Sequence, residues 1–61
     1  MTQEEKAQIY GSLLNEHTKC FNEINRIKAE SLELNTEQKQ RIIKLERRQG
    51  EIMLQINKLL S

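Results

Sequence analysis

Residues 33–38 read ELNTEQ, between two runs of helix-forming residues, and whether the chain turns there decides the fold. Upstream, apolar side chains recur at alternating steps of three and four from Tyr10 onward. Written as heptads abcdefg, Tyr10, His17, Ile24 and Ser31 fall at a, Leu13, Cys20, Ile27 and Leu34 at d, and Leu14 and Phe21 at e. Downstream, Ile42, Gln49 and Ile56 fall at a, Leu45, Ile52 and Leu59 at d, and Met53 and Leu60 at e. A strand would alternate every second residue, so both stretches predict amphipathic helix.

The two heptad registers do not join. Continuing the first past Leu34 would put Arg41, Arg48 and Gln55 at d, and the apolar seam resumes only with four extra residues. Asn35 and Thr36 are both favourable N-caps, and Glu37 suits the first turn of a helix. Glu37 and Arg41 are spaced for a favourable i,i+4 pair. These signals predict one domain over residues 1–61, with a first helix at about 3–34, a turn at about 34–36 and a second helix at about 37–60. Thr2 followed by Glu5 predicts a capping box at the start. Gly11 weakens a helix by about 1 kcal/mol relative to alanine, so the residues before Ser12 are expected to fray or form a separate turn. The ELNTEQ stretch holds no glycine or proline, and Glu30 and Glu33 are unfavourable at a helix C-terminus. One long continuous coiled-coil helix is therefore the alternative fold.

Charge favours folding back. Residues 1–37 carry four basic and seven acidic side chains, net −3, and residues 38–61 carry six basic and two acidic, net +4. Reversal around Asn35 would set Ile27 beside Ile42 and Ile43, Ile24 beside Leu45, Leu13 near Ile56 and Tyr10 near Leu59. Phe21 would lie near Gln49 and Gly50, whose missing side chain leaves room for the ring.

A chain of 61 residues buries only about 60% of its unfolded surface and needs reinforcement. The single cysteine, Cys20, provides no intrachain disulfide and fits a cytoplasmic, reducing setting. The opening MTQEEKAQIYG is acidic and polar, unlike a signal peptide, and the longest apolar run, Ile52 to Leu54, is far too short to span a bilayer. Oligomerisation is the remaining remedy. A lone hairpin would leave the e residues Leu14, Phe21, Met53 and Leu60 partly wet, at about 1.5–3 kcal/mol of forgone burial each. The expected fold is thus all-α, an antiparallel coiled-coil-type hairpin dimerising into a four-helix bundle. The a, d and e residues named above, Ser31 aside, are the expected oligomer or partner interface. His17, Ser31 and Gln49 would help to set its register.

The opening MTQEEK and the Glu33-Leu34 before a polar turn followed by Glu37-Gln38 are similar to the Rop-type plasmid copy-control hairpins. That resemblance implies a dimer of helical hairpins, with RNA bound across a face made by the first helices. The first helix here is net acidic, and no binding residue is carried over.

Little else in the chain suggests chemistry. Lys39, Arg41, Lys44, Arg47 and Arg48 form a basic cluster, with Arg41, Lys44 and Arg48 on one side of a helix, as phosphate contact requires. No aromatic residue in that segment could stack on bases. A solvated face pairing with acidic residues of the first helix is the simpler reading. His17 and Cys20, three apart, supply two ligands where zinc needs four, and only a two-fold axis could complete the set. No metal, cofactor or catalytic residue is assigned. Nothing supplies the pocket, orienting group and charge stabilisation that catalysis needs. The apolar face lacks aromatic anchors for a membrane surface. The sequence thus predicts a non-catalytic protein–protein interaction and oligomerisation module, an adaptor, assembly or small regulatory protein whose partner is itself or another helical protein. The alternative is a small Rop-like RNA- or DNA-binding regulator using the basic stripe.

Overall fold

Each helix begins at a reciprocal cap. At Thr2 the hydroxyl accepts from the Glu5 amide at 3.2 Å, and the Thr2 amide donates back to the Glu5 carboxylate. At Asn35 the side-chain oxygen accepts from the Gln38 amide at 2.8 Å, and the Asn35 amide donates to Gln38 Oε1 at 2.9 Å. Four otherwise orphaned amides are satisfied in this way. From these caps run α1 (Gln3–Glu30) and α2 (Thr36–Leu60), the whole of the regular structure in a computed structural model that describes residues 1–61.

The chain turns within ELNTEQ. The Cα extents are 46 × 15 × 12 Å, whereas an unbroken helix would span about 85–90 Å at 1.5 Å per residue, so the continuous rod is ruled out. The first helix stops at Glu30, not near residue 34 as the heptads suggested. Ser31 is extended, at φ −148° and ψ 135°, and its hydroxyl donates to the Glu33 carbonyl. Stopping there keeps Glu33 off the negative end of the helix dipole. Leu34 still reaches the seam from the linker and packs against Ile24, Ile27 and Ile42. No residue has positive φ, so the reversal requires no glycine.

Two apolar clusters line the seam. Ile24, Ile27 and Ile42, with Leu34 and Leu45 against them, close the linker end. Leu13, Ile52 and Ile56 close the half nearer the termini. Ile27 thus meets Ile42 but not Ile43, which is 54% exposed because it lies at b, outside the seam. Gly11 does not interrupt α1, since the packed turns beyond it hold the helix continuous from Gln3. Phe21 is 54% exposed and Gly50 is not fitted around its ring: a Cβ at Gly50 would meet nothing within 4 Å. An e side chain points along the flank of the seam, away from the opposite backbone.

Ile52 is the one fully buried side chain, at 0% exposure. Ile52→Ala should cost about 2–4 kcal/mol, a large share of the roughly 3–9 kcal/mol available to a chain of this size. Ile43→Ala, at an exposed position, should change stability by less than about 0.5 kcal/mol. Urea denaturation followed by circular dichroism at one fixed protein concentration checks both.

Candidate functional site

The two helices run in opposite directions, so like flanks meet: g lies beside g on one side of the seam and e beside e on the other. The g flank is identified by its ion pairs. Arg48 Nε donates to Glu16 at 2.7 Å, and Arg41 Nε donates to Glu23 at 2.8 Å. All four residues occupy g positions, one heptad apart on each helix. Arg48 also reaches Glu51 at 3.1 Å, and Arg26 lies 3.9 Å from Glu23. The expected Glu37–Arg41 pair does not form; Arg41 turns across the seam, where Glu23 is only 25% exposed. A partly desolvated carboxylate attracts a guanidinium more strongly than a fully wetted one on the same helix.

These contacts change the basic cluster. Arg41 and Arg48 are held by α1 carboxylates, which leaves Lys44 as the one stripe member without an ion pair. Lys39, Lys44 and Arg47 sit at e, c and f, pointing in three directions around α2. The hydrogen bond from Arg48, helped by its charge and that of Lys19, holds the Glu16 carboxyl below its ordinary 4.5, against a smaller opposing effect of desolvation. Hydrogen bonds to Glu16 and Glu51 raise the Arg48 guanidinium in turn.

The opposite flank is different in kind. Over residues 11–26 and 48–60, the g and c positions are Ser12, Glu16, Lys19, Glu23, Arg26, Arg48, Glu51, Gln55 and Lys58, charged at all but two. The e and b positions of the same span are Gly11, Leu14, Thr18, Phe21, Asn25, Gly50, Met53, Asn57 and Leu60, with no charge among them. Leu14 is 42% exposed, Phe21 54%, Met53 46% and Leu60 68%, and they run in one uncharged band along the hairpin. Charge returns on this flank towards both ends, with Glu4 at b near the start of α1 and Lys28, Glu46 and Lys39 at e towards the linker.

The residues expected to form an interface therefore fall into two groups. Leu13, Cys20, Ile24, Ile27, Ile42, Ile52 and Ile56 are buried, and His17, Leu34, Leu45, Gln49 and Leu59 are half-buried within a single chain. Tyr10, Leu14, Phe21, Met53 and Leu60 remain on the surface. Glu16 and Glu23, which align the α1 flank with α2, were not singled out from the sequence. Their signal was present as two glutamates one heptad apart at g, opposite two arginines spaced alike. His17 and Cys20 have no further ligand beside them, since no three His, Cys, Asp or Glu side chains cluster. The surface holds a shallow depression lined by Lys19, Asn22, Glu23 and Arg26, without an apolar side chain. No helix is long and apolar enough to cross a membrane. No family model, curated protein or solved structure matches the chain.

A charge swap tests the clasp. Glu16→Arg or Arg48→Glu alone should lower the melting temperature, and the double swap should recover most of the loss. The pH dependence has a fixed sign. A carboxyl with a depressed folded pKa adds stability above its unfolded value and loses it as pH falls through the folded one. Glu16→Gln should therefore flatten the acid limb of a stability profile below about 4.5, in thermal melts at low salt.

Proposed function

We propose that the protein is a non-catalytic helix–helix interaction and oligomerisation module, a cytoplasmic assembly, adaptor or small regulatory protein that pairs with itself in a four-helix bundle. The observation that carries this reading is the uncharged band of Leu14, Phe21, Met53 and Leu60 along one flank of a hairpin whose other flank is densely charged. Ile52 alone is fully buried, so a single chain has few interior contacts with which to offset its conformational entropy. Covering the band would add the missing burial.

The rival, nucleic-acid binding through Lys39, Arg41, Lys44, Arg47 and Arg48, asks Arg41 and Arg48 to leave Glu23 and Glu16. The remaining cations point in different directions and offer no continuous track for a phosphate backbone.

Solution scattering on an absolute scale separates these readings. Self-association gives a mass near twice 7.2 kDa with a longest dimension close to that of the 46 Å hairpin. A mass of one chain, with RNA or DNA affinity that falls steeply with salt and is abolished by R41E, K44E and R48E together, would replace it with the rival.

A further inference from the structure

We propose that the uncharged flank docks a second copy of this chain with the linkers at opposite ends, so that α1 lies antiparallel against the partner's α1. The proposal rests on the self-association reading and adds the direction, the register and the helix that carries the contact.

The α1 stripe is complementary to its own reverse. Its e and b positions run from Glu4 to Lys28, and those between, from Ala7 to Asn25, carry no charge. They are placed symmetrically about residue 16, so an antiparallel copy of the helix meets them position for position. Glu4 then falls level with the partner's Lys28, Ala7 with the partner's Asn25, Gly11 with the partner's Phe21 and Leu14 with the partner's Thr18. The two-fold axis makes each of these contacts twice. Opposite charges meet at both ends, and the largest side chain of the stripe meets the smallest. The Phe21 ring is 54% exposed in one chain, and a Cβ at Gly11 would meet nothing within 4 Å, so the ring and its seat are both open.

The other direction fails on the same residues. The seam sets Leu13 with Ile56 and Ile27 with Ile42, which puts Phe21 nearest the level of Glu46 and Lys28 nearest that of Lys39. With linkers together, an axis along the hairpin would set the Phe21 ring by the partner's Glu46 and Lys28 by the partner's Lys39. That axis fixes every level, so no sliding relieves these contacts. With linkers opposed the axis can sit anywhere along the hairpin, and the α1 stripe selects residue 16. Electrostatic complementarity of this kind fixes register and orientation more than it adds affinity.

The second helix fits the same axis. Residue 16 lies at the level of Met53, so α2 meets the partner's α2 around Met53, with Gly50 and Asn57 on either side. Glu46 reaches the edge of this patch, between the partner's Asn57 and Leu60, and Lys39 lies beyond the end of the partner's α2. The other cations of α2 sit at c, f and g, away from the contact. Residue 16 is also near the middle of α1, so the α1 helices overlap almost end to end. A face 46 by 15 Å, overlapped along most of its length, would bury on the order of 1,200 Å² over both chains, at the lower edge of stable interfaces.

Spin labels test the direction in the full chain. They are placed at Asn15→Cys on the outer face of α1 and, separately, at Leu32→Cys in the linker, each with Cys20→Ala to remove the native thiol. Circular dichroism and sedimentation mass are recorded on the same labelled samples. The labels at position 15 should lie within about 25 Å of each other, as adjacent bundle helices 8–10 Å apart require. Those at position 32 should be separated by about the 46 Å length of the hairpin. A mass of two chains with the position 32 labels close together would overturn the direction and leave self-association standing. A mass of two chains with both pairs far apart would overturn the α1 contact.

Two variants that keep Cys20 read the register without a label. Lys28→Glu sets a carboxylate by the partner's Glu4 and should raise the dissociation constant about threefold to tenfold. Tighter association would overturn the direction, since it is the result that facing lysines at 28 and 39 would give. Gly11→Leu should halve the mass with helicity kept, because the hairpin itself has room for the side chain. An intact Gly11→Leu dimer would overturn the register. A mass of one chain in the native protein would overturn both this proposal and the self-association reading.

Discussion

Two antiparallel helices touch along one line only, and that constraint organises the molecule. Opposite directions bring g to g and e to e, so every choice of residue at those positions is repeated on both sides of a flank. Here the g positions hold Glu16 and Glu23 on α1 and Arg41 and Arg48 on α2, and the e positions hold Leu14, Phe21, Met53 and Leu60. One flank consequently carries the ion pairs between the helices, and the other presents an uncharged, half-wet band between its charged ends.

The two flanks contribute differently. Exposed ion pairs add little to stability because solvent screens them and long side chains lose freedom in forming them. Their value here is alignment, since two Glu–Arg pairs one heptad apart reinforce the register in which Leu13 meets Ile56 and Ile27 meets Ile42. Stability comes instead from the seam, and the seam is thin. Polar residues interrupt it at its middle, where Cys20 lies level with Gln49. The e flank is where further burial can be gained without rebuilding the hairpin, through four apolar side chains already in place.

Most of the fold was legible in the sequence because heptad spacing and caps are local signals. The seam residues, the Thr2–Glu5 box and the reversal beside Asn35 could all be read directly. The end of α1 could not. Ser31 and Leu34 continue the heptad pattern, and Leu34 reaches the same core from the linker as it would from a helix. The missing glycine also misled in part, because this reversal uses no positive φ. Arg41 was assigned to its own-helix neighbour Glu37, whereas its partner lies across the seam at Glu23. The open flank was half legible: the e residues were plain, but the absence of charge at the adjoining b positions emerged only once the ion pairs had identified the two flanks.

The most direct test of the account is the solvent accessibility of the e flank in the native protein, read by nuclear magnetic resonance with a soluble paramagnetic probe. A covered flank predicts weak relaxation enhancement at the Phe21 ring and the Met53 methyl, beside strong enhancement at Lys19 and Lys58 on the charged side. Enhancement at Phe21 and Met53 equal to that at Lys19 and Lys58 would mean that the band stays in water, and the account of its purpose would be contradicted.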